Sequence, residues 1–229
     1  MNFVGHIHIA ELCFDDLGLD DPSPANGNTE RYLFGSALPD FAAIGRFQLT
    51  GAPSDPAVTA GIDMHHATDS AFHASDWFLG HSQAVRSDLE ARGVNRGAAR
   101  AVGHVGVELL LDGQLLASND ELRPRAQHVL RLSDNEELQL TRLVDDSRRW
   151  EWSRHLNRIS SWPLPDDYHR PQAVAERLHR ILRSRKRLAL AAADVTVVAE
   201  TLADHQAELV AGVGDMTEHL VDELTESET

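Results

Sequence analysis

Several features are scarce in this sequence, and each scarcity excludes a class of protein. Cys13 is the only cysteine, so a disulfide framework within the chain is impossible. The apolar run at residues 188–193 is far shorter than the ~20 residues needed to cross a bilayer. The first ten residues contain no lysine or arginine and no long apolar run, which argues against a secretory signal peptide. We therefore expect a cytoplasmic protein with no membrane association.

Positive charge is also scarce. The 21 Lys and Arg residues are outnumbered by 36 Asp and Glu residues, for a formal net charge of −15. Nucleic-acid binders gain affinity by neutralising phosphates, so we expect no nucleic-acid partner. Residues 123–187 are different, with 15 basic and nine acidic residues. This segment either presents a basic face to an acidic partner or scatters its arginines over solvent-facing helix sides, which is the rule in soluble helical proteins.

The hydrophobic content of 42% over 229 residues is enough for a sizeable core. Alternating strand patterns are absent, and helical patterns recur along the chain. The sequence predicts one all-α domain over residues 1–229, a single-domain helical bundle whose last residues, 225–229, form a frayed acidic tail. A loop is predicted at residues 20–29, and the longer helices are predicted at residues 56–79, 95–111, 134–159 and 172–190.

Histidine and carboxylate spacing is the main chemical signal. His65 and Asp69 lie four residues apart on a predicted helix, and His73 extends that face by four more. His104 and Glu108 repeat the spacing on a second helix. Two helices that each offer an imidazole and a carboxylate can build a metal site in a bundle core. Such ligands suit Mn, Fe, Zn, Co or Ni.

The alternative to a metal site is that these residues form ordinary polar pairs on helix surfaces. Glu108 favours the metal site, because a charge within the apolar stretch 101–111 is costly to bury without a partner. Alternatively, Arg100, His104 and Glu108 form one exposed stripe and satisfy each other. No glycine-rich phosphate loop and no Gly-x-Ser-x-Gly elbow is present to suggest other chemistry.

His6 and His8 cannot both enter one site if they lie on a helix, because two residues turn the helix by about 200°. On a strand they would share a face. Asp40 follows Pro39 at a predicted helix-loop transition, where a carboxylate can point into a cleft. A resemblance to a known family adds these three side chains to the candidate site residues.

Three segments, in order, carry that resemblance: residues 1–10 (MNFVGHIHIA), 33–41 (LFGSALPDF) and 61–69 (GIDMHHATD). They resemble Met-Asn-Phe-Leu-Ala-His-Leu-His-Leu-Ala, Gly-Asn-Leu-Leu-Ala-Asp-Phe and Gly-Ile-x-x-His-Arg-Arg-Ile-Asp of the bacterial acyl-carrier-protein phosphodiesterases. Residues 98–111 occupy the place of that family's Asp-x-x-x-Asp-His helix, and residues 175–185 resemble its C-terminal half.

The resemblance implies an all-helical fold related to the HD-domain phosphohydrolases, with a divalent metal (Mn, Fe or Zn). It implies cleavage of a phosphate ester, in that family the phosphodiester between 4′-phosphopantetheine and a serine of acyl carrier protein, so a phosphopantetheinylated carrier protein is a candidate partner. By this resemblance His8 (or His6), Asp40, His65 and Asp69 are candidate metal ligands, and helix spacing adds His104 and Glu108. The candidate catalytic residues are Asp40, Asp69 and His66.

The chain departs from the family at defined positions. His66 and Ala67 replace the Arg-Arg pair, and His104, Glu108 and Leu109 replace the Asp, Asp and His of the third motif. The changes indicate a site richer in nitrogen. They keep two other functions open, namely a non-catalytic metal- or partner-binding relative and an Fe- or Mn-dependent oxidative enzyme. The sequence does not indicate the oligomeric state.

Overall fold

The computed structural model describes residues 1–16, 28–51, 53–134 and 140–226, and within these ranges every regular element is helical. The all-α prediction is confirmed. None of the described helices is both long and apolar enough to cross a bilayer. The α-helices are α1 (Phe3–Asp16), α2 (Asn28–Gly45), α3 (Pro56–Ala74), α4 (Asp76–Ala91), α5 (Arg96–Ala101), α6 (Val107–Ser118), α7 (Leu122–Leu132), α8 (Arg149–Ser160), α9 (Pro171–Leu182), α10 (Val195–Ala211) and α11 (Val213–Glu226).

Helix α3 begins where the sequence predicts and ends earlier. The Asp55 carboxylate accepts hydrogen bonds from the backbone N–H groups of Ala57 (2.9 Å) and Val58 (3.3 Å) and so satisfies the first turn. The predicted continuation to residue 79 is wrong, because Ser75 interrupts it. The Ser75 hydroxyl accepts from the N–H of Phe78 and caps a new helix, α4.

The helix predicted at residues 95–111 starts correctly, since the Asn95 side chain accepts from the N–H of Gly97 at 2.8 Å. It is not continuous: a π-helical turn, Val102–Gly106, separates α5 from α6. The helical segment also continues past the predicted end at residue 111, through Gly113 to Ser118. A Cβ at Gly113 would lie 2.1 Å from the backbone carbon of Tyr168, so this glycine marks a close packing contact rather than a helix end.

The helix predicted at residues 134–159 is wrong over its described N-terminal part. Short 3-10 segments, Leu140–Leu143 and Asp146–Arg148, precede α8, and the Asp145 carboxylate caps the second of them. Helix α9 begins at Pro171, one residue before the predicted start, and ends at Leu182 rather than near residue 190. Most of the predicted loop at residues 20–29 lies outside the described residues.

The chain divides into two compact units. The first unit comprises Met1, Ala71–Ser118 and Pro165–His219; α10 packs on α9 and α4 there, over Leu89 and Leu202. The second unit comprises the described residues of Asn2–Ser70, Asn119–Leu164 and Leu220–Thr229. Its helices α1, α2, α7 and α8 pack together, and Phe34, Phe41 and Trp152 are fully buried.

The prediction of a single domain over residues 1–229 stays a prediction. Of the predicted frayed tail, Thr225 and Glu226 belong to the last turn of α11, and residues 227–229 lie outside the described residues.

Two candidate metal centres

A group of three potential ligands lies in the second unit: His6 on α1 and His65 and Asp69 on α3. We call it the His65 triad. One ligand atom from each residue lies within 4.8 Å of the others. His6 and His65 are only 1% and 6% exposed, whereas the Asp69 side chain is 44% exposed. The triad therefore combines two buried imidazoles with a carboxylate that opens to solvent.

A glycine contact between α2 and α3 brings His65 to this position. A Cβ at Gly61 would lie 2.0 Å from the carbonyl oxygen of Tyr32, and a Cβ at Gly35 would lie 2.3 Å from that of Val58. The two backbones can approach so closely only because both residues lack a side chain. His65 lies four residues after Gly61, on the same face of α3, and so faces α2.

The close approach fixes the tautomer of His65. Its Nδ1 lies 2.8 Å from the backbone carbonyl oxygen of Ser36. A carbonyl can only accept, so Nδ1 carries the proton and Nε2 keeps its lone pair. Burial lowers the pKa of His65 to about 4, and the bond to Ser36 and the carboxylate of Asp69 offset this only in part. The ring is therefore neutral at pH 7, the state that a metal ligand needs.

His6 completes the triad, and His8 does not. The His6 ring stacks on the His65 ring with centroids 3.8 Å apart and an interplanar angle of 30°. Its Nε2 lies 3.8 Å from Oδ1 of Asp69. His8 is half-buried, its Nδ1 has no hydrogen-bond partner among the described residues, and burial lowers its pKa. Both residues lie on the helix α1, so their side chains point in different directions and only His6 enters the triad.

The donor set of the His65 triad fits a divalent transition metal. Imidazole nitrogen with carboxylate oxygen suits Mn, Fe, Co, Ni and Zn. A ring nitrogen whose partner nitrogen donates to a backbone carbonyl is the usual arrangement at bound metals. Three protein ligands leave coordination positions for water or substrate, and the exposed side of Asp69 gives access to them.

A second group, which we call the Glu108 triad, lies in the first unit and comprises His73, His104 and Glu108. Glu108 is 7% exposed. Its Oε1 atom lies 3.1 Å from Nε2 of His73 and 3.3 Å from Nε2 of His104. The Met1 ammonium donates to the same oxygen at 2.9 Å. Three nitrogen groups thus converge on one carboxylate oxygen.

The rings of this triad are held by aromatic packing. His73 and His104 stack with centroids 4.9 Å apart and an interplanar angle of 13°. Phe78 contacts both rings edge-on, at 4.7 Å and 5.1 Å. His104 lies within the π turn, a type of helical irregularity that is frequent at functional sites.

Opposing effects set the charge of Glu108. Burial alone would raise its pKa, but the hydrogen bonds from His104 and His73 and the charge of the Met1 ammonium outweigh burial and lower the pKa well below its ordinary value. The side chain is therefore a carboxylate throughout the neutral range. The expectation that a buried Glu108 needs a cationic or hydrogen-bonding partner is met by these groups.

The remaining predicted site residues lie outside both triads. Asp40 is half-buried at its position on α2, and His66 is exposed beside His65, with ring centroids 5.4 Å apart and the rings nearly perpendicular. Their assigned roles stay predictions. The four-residue spacing grouped His73 with His65 and Asp69, but the structure groups it with His104 and Glu108, which the sequence did not predict. Ser36 gave no signal in the sequence, because a backbone carbonyl has no sequence signature.

Comparisons with known proteins give no relative. No family model matches the sequence, no curated protein is similar to it, and no solved structure matches the fold.

Proposed function

We propose that this protein is a divalent-metal-dependent phosphoric ester hydrolase with its reaction centre at the His65 triad. One observation carries the proposal: a neutral imidazole, fixed in one tautomer by the Ser36 carbonyl, lies beside a second imidazole and a half-exposed carboxylate. That combination of two nitrogens and one oxygen with an open side is the ligand set of many hydrolytic metal sites.

In this proposal, the buried His6 and His65 and the partly exposed Asp69 would hold the metal. When bound, the metal supplies Lewis acidity toward the phosphoryl oxygens of the substrate. His66 is exposed next to His65, and the proposal assigns to it the contact with the ester or its leaving group. Asp40 remains a candidate for moving a proton.

The substrate class comes from the family resemblance. The segments at residues 1–10, 33–41 and 61–69 resemble those of acyl-carrier-protein phosphodiesterases, which favours a phosphodiester and makes a phosphopantetheinylated carrier protein the first macromolecular substrate to try. Mn is the first metal to try for the same reason. A carrier protein and this chain, at −15, are both acidic, so productive docking would require the basic segment at residues 123–187.

The donor set favours one further candidate function. Two histidines with one carboxylate and open positions is also the ligand set of non-haem Fe(II) enzymes that use oxygen. Anaerobic loading with Fe(II), followed by exposure to oxygen with and without organic substrates, separates the two functions. An Fe-dependent optical or magnetic signature that changes with oxygen supports the oxidative function, and hydrolysis with Mn or Zn supports the phosphohydrolase.

Metal content and turnover together test the main proposal. The wild type is compared with Asp69→Asn, which removes the exposed ligand, and with Asp63→Asn, which alters an exposed carboxylate on the same helix. We expect bound Mn, Fe or Zn in the wild type and Asp63→Asn and its loss in Asp69→Asn, with helicity unchanged. Chromogenic phosphomonoesters and phosphodiesters then report hydrolysis by the loaded protein.

The outcomes are distinct. Metal-dependent hydrolysis that is lost in Asp69→Asn supports the proposal. Metal without turnover on any ester would favour the non-catalytic relative. Absence of metal after reloading with Mn, Fe and Zn would overturn the metal site itself.

A further inference from the structure

A basic cleft lies in the second unit, between the C-terminal end of α2 and one face of α8. Its volume is about 430 Å³. Four arginines and one glutamate line it, together with three aromatic side chains. The charged lining residues are Arg46, Arg148, Glu151, Arg154 and Arg158. In a chain with a net charge of −15, this concentration of positive charge needs an explanation.

One stripe of α8 contributes three residues to the lining of the cleft. Trp150, Arg154 and Arg158 follow one another at four-residue intervals and therefore lie on one face of the helix. Trp150 is 68% exposed, and the Arg154 guanidinium lies 4.6 Å from its ring centroid. Within the described part of the chain, no carboxylate forms an ion pair with Arg154 or Arg158. These two guanidiniums keep their hydrogen-bonding capacity for a ligand.

Arg46 reaches the cleft from an unusual backbone position. Helix α2 ends in a Schellman motif, in which the N–H of Phe47 donates to the carbonyl of Ala42 at 2.8 Å and that of Arg46 donates to the carbonyl of Ala43 at 3.1 Å. Arg46 occupies the left-handed position of this motif, with φ of 57°. Glycine is preferred there because it avoids the Cβ strain. An arginine at such a position is strained, and strain of this kind clusters at ligand sites.

The other members of the cleft hold it in shape. Arg148 stacks on the Phe47 ring, with its guanidinium carbon 4.1 Å from the ring centroid, and donates to the Arg46 carbonyl at 2.9 Å. His155 donates from Nε2 to the Phe41 carbonyl at 2.7 Å. A Cβ at Gly45 would lie 2.5 Å from that same nitrogen, so the glycine makes room for His155. Arg148 and His155 thus both bond to the main chain at the end of α2.

We propose that this cleft binds a small organic phosphate that carries a flat ring, such as a nucleoside monophosphate. Guanidinium groups donate two parallel hydrogen bonds to phosphate, and Arg154 and Arg158 present two such groups in this cleft. The exposed Trp150 face offers a stacking surface for the ring. The cleft is separate in its residues from both metal triads, so the proposal stands independently of the hydrolase function.

Calorimetric titration of the full chain with AMP tests the proposal, in a buffer with EDTA so that metal at the triads does not contribute. We expect saturable binding, at least about tenfold tighter than the binding of adenosine or inorganic phosphate, because only AMP engages both the arginines and the tryptophan. The double variant Arg154→Ala/Arg158→Ala should weaken binding about tenfold or more at unchanged Tm. Arg131→Ala is the matched control, since Arg131 is an exposed arginine of the same unit outside the cleft, and it should bind as the wild type does.

Arg46→Gly separates ligand binding from stability. Glycine relieves the strain at φ of 57°, so its Tm should rise while AMP binding weakens. Absence of saturable binding at millimolar AMP would overturn the proposal. So would equal losses in the double variant and in Arg131→Ala, since that result would show a non-specific charge effect. Inorganic phosphate that binds as tightly as AMP would overturn the role of the ring.

Discussion

The ring nitrogen Nδ1 of His65 lies 2.8 Å from the carbonyl oxygen of Ser36, on the neighbouring helix. This bond depends on the approach of α2 and α3 at Gly35 and Gly61, where the backbones nearly touch. A ligand in one helix is therefore oriented by the main chain of another. The geometry of the His65 triad is a property of helix packing as much as of the three ligands.

Gly61→Ala tests this dependence. Its Cβ would lie 2.0 Å from the Tyr32 carbonyl oxygen, a backbone atom that cannot turn away. The helices must separate, so we expect a loss of about 1–3 kcal/mol in the free energy of unfolding and weaker metal binding at the His65 triad. Urea denaturation and metal titration measure the two effects.

Gly80→Ala is the matched control for that change. Gly80 lies within α4 with nothing within 4 Å of the added Cβ, so alanine should raise stability by up to about 1 kcal/mol through helix propensity. If both variants changed stability in the same direction, the close contact at Gly61 would have no energetic role.

The stability of the fold should depend on pH through His65. Its folded-state pKa of about 4 lies below the unfolded value of 6.5, so the unfolded chain binds the extra proton more readily in the window between them. This contribution to stability is fully present above pH 6.5 and is lost as the pH falls toward 4. It amounts to at most about 3 kcal/mol.

His65→Gln isolates that contribution. Denaturation curves at about pH 7 and about pH 4.5 should show a smaller loss of stability on acidification for His65→Gln than for the wild type. Equal losses in the two proteins would mean that His65 is not buried as a neutral ring.

Glu108→Gln should destabilise the first unit. The change removes the negative charge from a buried group that faces His73, His104 and the Met1 ammonium. Removing one partner from a buried ion pair leaves the other without compensation, and we expect a loss of about 3 kcal/mol in the free energy of unfolding.

Glu90→Gln, which weakens a half-exposed helix-surface pair with Arg86 and a longer one with Arg96, should cost much less stability than Glu108→Gln. Thermal denaturation of the two variants side by side measures the difference. Comparable Tm values for both would show that the interactions of Glu108 are as weak as those of a surface pair.

The assignment of His6 rather than His8 can be tested by metal binding alone. His6→Gln should lose affinity for Mn or Zn by about 10- to 100-fold or more, because it removes a ligand of the His65 triad. His8→Gln should retain the wild-type affinity. The reverse ranking, measured by competition with a coloured chelator at equal helicity, would contradict the triad.

Helical periodicity predicted the His65–Asp69 pairing, because both residues lie on one helix and the four-residue spacing fixes their relative direction. It could not decide between His6 and His8. That choice depends on which face of α1 meets α3, and only tertiary packing sets it. The resemblance to the phosphodiesterase segments pointed to the opening residues but named both histidines.

Helix ends were harder to predict where side chains compete with the main chain. The hydroxyl of Ser75 stops α3 five residues before the predicted end, and no hydrophobic pattern signals this. Glycine is typical of a helix end, yet Gly113 lies within α6. There its missing side chain makes room for the Tyr168 backbone. The cleft arginines illustrate the same limit: the basic bias of residues 123–187 was evident, but the grouping of three of them with Arg46 depends on the turn that ends α2.

The π turn at Val102–Gly106 bears on how this protein can change in length during evolution. A π turn contains one residue more than an α-helical turn in the same place. Deleting one residue from it would restore a regular helical turn, and α6 with Glu108 would keep its direction because the π turn absorbs the extra residue. Chains normally gain and lose residues in loops. Here His104 lies inside the turn and its direction depends on the extra residue, so descendants that keep the Glu108 triad should keep this segment free of gaps.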